Sequence, residues 1–234
     1  MKRILCLLIL ISNSLSAQEL NDKLSSDYCH CFNKGSLEIN GEINYQLLEE
    51  CLVYGLKNNA KALEQVVLKD VDTTGFDEET YYKYGYKYGR DLFGNLQEQL
   101  IDQCDSYYEY AKKLNATMRQ SFVRDASKKA LDSLSALVDK NTSSLELRME
   151  RGSQHLGLND FKSAKTDFKQ CLEQNPDYFP AQFFLAYTYD LDEDFDNAIK
   201  GYQDILDNVI DVGALKDMTK IYLAIVKRKK KEQD

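Results

Sequence analysis

The chain has 234 residues, with 38 Asp/Glu against 30 Lys/Arg, a formal net charge of −8, 2 Pro and no Trp. That acidic balance disfavours nucleic acid as a partner, because phosphate backbones are held by clustered cations. So few prolines, and no Gly/Pro-rich stretch, exclude a linker-dominated or fibrous chain and suit a mostly helical one.

At the N-terminus, Lys2 and Arg3 precede the apolar run Ile4–Ile11, and Ser12–Ala17 follows with mainly small residues. This is the pattern of a secretory signal peptide over residues 1–17, with cleavage expected after Ala17. Cys6 lies inside the apolar run rather than at its end, which argues against a lipid anchor. No later segment approaches the 18 continuous apolar residues of a membrane span. The mature chain is therefore expected to be exported, periplasmic or extracellular, and soluble, with no stable membrane insertion after cleavage.

Residues 18–110 read as an acidic helical module, with 8 Lys/Arg against 18 Asp/Glu. Helical patterning covers Leu20–Asn33, Tyr45–Asn58 and a long stretch from Glu78 toward Tyr110, and these segments carry Cys29, Cys31, Cys51 and Cys104. In an oxidising compartment, four such cysteines predict two disulfides tying short helices around a limited core. Cys29 and Cys31 point in different directions on a helix, so each is expected to join a different one of Cys51 and Cys104, in either pairing. Cys171, further on, reads as a buried free thiol.

Cys29-His30-Cys31 also offers two thiolates and an imidazole, adequate for zinc or copper, which makes a metal-handling protein or an enzyme with a site near Cys29–Cys31 the alternative reading. The pattern lacks a second closely spaced ligand pair, and no Cys–His–acid or Ser–His–acid set can be assembled. We therefore expect no enzyme, no catalytic residue, no metal and no cofactor. Two acidic runs, Asp70–Gly75 and Asp190–Asp196, begin like calcium loops but have Tyr81 and Gly201 where the closing glutamate is required. The segment Tyr81–Gly89 places Tyr81, Tyr84 and Tyr88 at helical spacing and reads as a packing face.

From Asn159 the pattern becomes periodic. Asp160, Phe161, Ala164 and Phe168 return 34 residues later as Asp194, Phe195, Ala198 and Tyr202. That period belongs to helix–turn–helix solenoids, whose units must stack to bury their apolar stripes. Arg151-Gly152, Leu158, Asp160-Phe161, Ala164, Phe168 and Pro176, then Leu185-Ala186, Tyr189, Phe195, Ala198 and Tyr202, resemble the tetratricopeptide repeat family. The resemblance is clear over residues 145–178 and 179–212, degenerate over 111–144, and followed by a closing helix at 213–231. It implies an all-α fold, a short tetratricopeptide solenoid preceded by the disulfide-tied module. It also implies that the first helix of each unit lines a concave groove, here through Glu146, Met149 and Ser153, then Phe183, Tyr187 and Asp190, then Asp217 and Ile221. The Lys, Arg and Asn with which family members grip a terminal carboxylate are missing from this surface. The expected function is that of a protein-interaction scaffold holding an apolar or basic segment of a protein or peptide partner.

Overall fold

The computed structural model describes residues 16–35, 37–39, 42–67, 74–208 and 214–234. The apolar run of the signal-peptide reading lies outside them, as do the run at Asp70–Asp72 and the side chains of Tyr81, Tyr84 and Tyr88. The described chain is all-α except for one short antiparallel hairpin, β1 (Glu38–Ile39) with β2 (Glu42–Ile43), which pairs Glu38 with Ile43 and Ile39 with Glu42. It divides into two compact units, Met1–Leu96 and Gln97–Asp234. The division falls inside α4 (Glu78–Gln103), so that Cys104 and all of α5 (Asp105–Asp125) belong to the second unit.

In the first unit, α1 (Ala17–Lys34) opens with a capping box. Ser16 Oγ accepts from the Glu19 N–H at 3.1 Å, and the Glu19 carboxylate accepts from the Ser16 N–H at 2.7 Å. Leu20, Leu24, Tyr28 and Phe32 recur every fourth residue and are all buried, forming one stripe. That stripe packs on α2 (Tyr45–Asn58), whose buried residues are Leu47, Cys51 and Gly55. Polar groups close the contact: the Tyr28 hydroxyl donates to the Leu48 carbonyl at 2.8 Å, and Asn59 Nδ2 donates to Asp27 at 2.7 Å, next to α3 (Ala60–Val67). Cys31 and Cys51 form a disulfide that staples α1 to α2. Cys29 and Cys104 are each oxidised in a disulfide as well, and Cys171 is free and buried.

In the second unit, α7 (Leu145–Gly157) with α8 (Phe161–Gln174) and α9 (Phe179–Leu191) with α10 (Phe195–Asn208) form two packed hairpins whose bounds repeat at 34 residues. The repetition extends to the turns. Asn159 and Glu193 both take left-handed backbone, with φ of 62° and 58°. The Asp160 and Asp194 N–H groups then donate to the carbonyls of His155 and Tyr189, each at 2.9 Å. The two aspartate side chains cap the second helices, accepting from Ser163 N–H at 3.1 Å and Asn197 N–H at 3.4 Å. Ala164, Phe168, Ala198 and Tyr202 are fully buried where the paired helices meet. The segment read as a degenerate unit differs from these hairpins: α6 (Lys128–Lys140) packs on α7, whereas α5 packs on α7 and on the closing helix α11 (Ala214–Gln233).

Ala198→Leu should lower stability by ~1–3 kcal/mol, because Ala198 is fully buried where α9 and α10 meet and the added atoms overpack that contact; thermal melts check this, and an unchanged midpoint would contradict the packing. Cys51→Ser should cost ~2–4 kcal/mol by releasing the α1–α2 staple, with protection from hydrogen exchange falling in α1 and α2 while α7–α10 keep theirs.

Candidate interaction surface

The residues expected to line an open groove fall into two groups. Glu146 is exposed and accepts from the Ser144 hydroxyl at 3.1 Å, while Ser153, Asp217 and Ile221 are half-buried. Met149, Phe183, Tyr187 and Asp190 are buried, Phe183 and Tyr187 at 2% and 0% exposure. Phe183 and Tyr187 therefore present no open aromatic floor to a partner, which corrects the expectation drawn from the repeat pattern. The physical reason is that the chain fills this face itself. Tyr222 of α11 packs edge-on to Phe183 and Tyr187, with ring centroids 5.2 and 5.6 Å apart. Phe122 of α5 reaches Phe184 at 5.4 Å and Tyr187 at 6.4 Å. The Tyr222 hydroxyl meets Met118 Sδ at 3.3 Å, so α5 and α11 touch over the same face.

Charge ties this closure down. The Asp190 carboxylate, fully buried at the end of α9, accepts from Lys229 Nζ at 2.8 and 3.0 Å. Burial raises its pKa above the ordinary carboxylate range, and Lys229 offsets only part of that. Asp190 is thus an ion-pair member rather than a rim residue or a calcium ligand. Arg228, Lys230 and Lys231 of α11 are committed in the same way. Arg228 lies over the Tyr108 ring, 4.1 Å from its centroid, donates to the Ile101 carbonyl at 2.7 Å, and pairs with Asp105. Lys230 pairs with Asp196, and Lys231 with Asp102 at 3.3 Å. This run acts as a clamp on α4, α5 and the second hairpin.

The remaining chemical candidates are placed as follows. With Cys29 and Cys31 both in disulfides, Cys29-His30-Cys31 offers no thiolate pair to a metal. Among the described residues there is no group of three or more His, Cys, Asp or Glu able to hold a metal ion, and no helix long and apolar enough to cross a membrane. Cys171 points its thiol at the Leu145 carbonyl, 3.7 Å away, and burial pushes its pKa up to about 11, which keeps it protonated and unreactive. His155 Nδ1 lies 3.1 Å from the Asp160 carboxylate.

The outer seams of the two hairpins, between first and second helix, were not singled out by the sequence pattern and differ from each other. In the first, Arg151 Nε donates to the buried Asp167 at 2.8 Å as part of a bidentate pair. Arg148 donates to the Thr142 carbonyl at 2.6 Å and also reaches Gln170. In the second, a cavity of about 250 Å³ opens between α8, α9 and α10, with Leu172, Pro176, Leu185, Tyr189 and Ile205 among its apolar walls. No family model, curated protein or solved structure matched this chain.

Lys229→Met should destabilise the second unit by ~2–3 kcal/mol near neutral pH, somewhat less than for a fully buried pair because Lys229 is 26% exposed. Asp190 has a raised pKa in the folded state, so the folded form gains protons more readily than the unfolded form, and the burden of its charge disappears as pH falls through the folded pKa toward the unfolded one. The gap between variant and native protein should therefore narrow from about pH 7 to about pH 4. Urea melts across that range measure it, and a constant gap would mean that Asp190 is not the group left unpaired.

Proposed function

We propose that this is an exported helical-repeat interaction protein, with its repeats of the tetratricopeptide kind. Its particular task on this reading is to hold a segment of a protein partner on the second unit, without catalysis. One observation carries the reading: two hairpins repeat at 34 residues down to the left-handed turn residue and the capping aspartate, a regularity that serves stacking and surface display rather than a reaction centre. Export is supported by the four oxidised cysteines together with the charged and apolar pattern of Lys2–Ile11. The disulfide-tied first unit then secures the chain against unfolding outside the cell. Because α5 and α11 fill the inner aromatic face, recognition is assigned to the surfaces left open on the hairpins.

A photoreactive residue at the exposed Lys200 position, one turn before Asp204 on α10, should give discrete crosslinked protein products in the native envelope, and Ala198→Leu in the same chain should abolish them by disturbing the hairpin. One at the exposed Tyr45 position of α2 should give none. Products from Tyr45 alone would move the interaction to the first unit, and products from neither would remove the scaffold reading.

A further inference from the structure

The two hairpins share a backbone but fill their outer seams differently, and the difference has a chemical identity. At the 34-residue spacing, Arg148 is replaced by Gln182, Arg151 by Leu185, Asp167 by Gly201 and Gln170 by Asp204. One contact survives the exchange: Arg148 donates to the Thr142 carbonyl at 2.6 Å, and its counterpart Gln182 donates through Nε2 to the counterpart carbonyl, Pro176, at 2.7 Å. What the second seam has lost is two guanidinium groups and the long side chains that carried them. The cavity of about 250 Å³ lies where they would be, bordered by Leu185, Ala186 and Gly201.

Oxygen acceptors stand out among the polar groups at this cavity. With Nε2 committed to Pro176, Gln182 Oε1 is buried and has no hydrogen-bond partner among the described residues. Asn197 commits Nδ2 to Asp194 at 2.8 Å, which leaves its oxygen, and Asp204 adds an exposed carboxylate. A guest that brings N–H donors on an apolar stem suits these oxygens and the walls. The wall residue Tyr189 already holds the Lys165 and Lys169 ammonium groups 4.8 and 5.6 Å from its ring centroid, so its π-face is used for cations. Of those two, Lys165 is neutralised by Asp192 at 2.5 Å. Of the seven Asp/Glu in residues 179–208, Asp190, Asp192 and Asp196 are paired with lysines, and Asp204 is the carboxylate that lines the cavity.

We infer that the seam between α9 and α10 is a binding pocket for an arginine side chain presented by a basic segment of the partner protein. The guest guanidinium takes the place that Arg148 and Arg151 hold within the first hairpin, with Asp204 and Gln182 Oε1 as its acceptors and Leu185, Tyr189 and Ile205 against its stem. This deepens the interaction reading above and rests on it. Lysine serves less well, because a compact ammonium cannot address two separated acceptors as a planar fork does.

The full-length disulfide-bonded protein can be titrated with a short Gly/Ser peptide carrying one central arginine, and with the same peptide carrying the uncharged isostere citrulline, following backbone amide signals by NMR. The arginine peptide should shift the signals of Gln182, Leu185, Gly201 and Asp204 and bind about tenfold more tightly than the citrulline peptide. Asp204→Lys should weaken it about tenfold, whereas Asp132→Lys, the same charge change on an exposed position of α6, should weaken it no more than about twofold. A second variant, Leu185→Arg with Gly201→Asp, builds the first seam's pair into the second and should close the pocket. If that variant melts early, the exposed Asp204→Lys change decides the question. Equal losses for Asp204→Lys and Asp132→Lys, or shifts confined to other residues, would overturn the pocket. If the peptide fails while envelope crosslinks from the Lys200 position persist, only the arginine assignment falls; if both fail, the scaffold reading falls with it.

Discussion

The second unit depends on close approach between paired helices, made possible by one small residue set against one aromatic. In the first hairpin the Phe168 ring lies against Gly152, where a Cβ would come within 2.6 Å of the ring. In the second, Ala186 stands at the glycine's place, and the missing Cβ has moved across the seam to Gly201, whose own Cβ would sit 2.9 Å from that of Ala186. Each seam thus tolerates a side chain on one helix only if the other gives it up. From this follows the rest of the hairpin, since helices held so closely need a tight connection. Asn159 and Glu193 provide it with left-handed backbone that such residues adopt only when the surroundings demand it.

Close packing along the hairpins leaves their inner aromatic face still to be buried, and two helices at the ends of the unit cover it. α11 occupies the place of a third unit's first helix and brings Tyr222; α5 crosses from the other side and brings Phe122 and Met118. The aromatic cluster then has a fully buried carboxylate, Asp190, at its margin, and one lysine of α11 compensates that charge. Such a pair does little for stability by itself, since desolvation offsets much of the attraction. Its effect is to fix the position of α11, because the helix cannot slide along the hairpin without leaving Asp190 charged and unpaired in a dry environment. Arg228, stacked on Tyr108 and bonded to the Ile101 carbonyl, fixes the same helix against α5.

Local chemistry was legible in the sequence, and long-range placement was not. The 34-residue repetition of the two hairpins, the burial of Ala164, Ala198, Phe168 and Tyr202, and the oxidised state of Cys29, Cys31, Cys51 and Cys104 follow from spacing and residue type. The resemblance to the repeat family also implied the helix face to which Phe183 and Tyr187 belong. It could not say what lies on that face, because the covering residues, Phe122 and Tyr222, come from segments where the motif has faded. The same limit applies to Arg228–Lys231, whose partners Asp105, Asp190, Asp196 and Asp102 are distant in the sequence. Asp190 itself was misplaced for a related reason: an alternating acidic run looks like an exposed turn, and only tertiary packing reveals that its first member points inward.

The two outer seams show why a repeat should be compared with itself before it is compared with anything else. Both hairpins must solve the same packing problem, so positions that agree between them, such as Asp160 with Asp194 and Ala164 with Ala198, report the demands of the fold. Positions that disagree report freedom from those demands. The exchange of Arg148, Arg151, Asp167 and Gln170 for Gln182, Leu185, Gly201 and Asp204 is concentrated in one seam and removes both cations while retaining acceptors. Random loss of packing would leave a buried acceptor such as Gln182 Oε1 as a pure cost, on the order of 1–3 kcal/mol. An occupant carrying N–H donors turns that cost into recognition, since it discriminates against any guest that cannot donate.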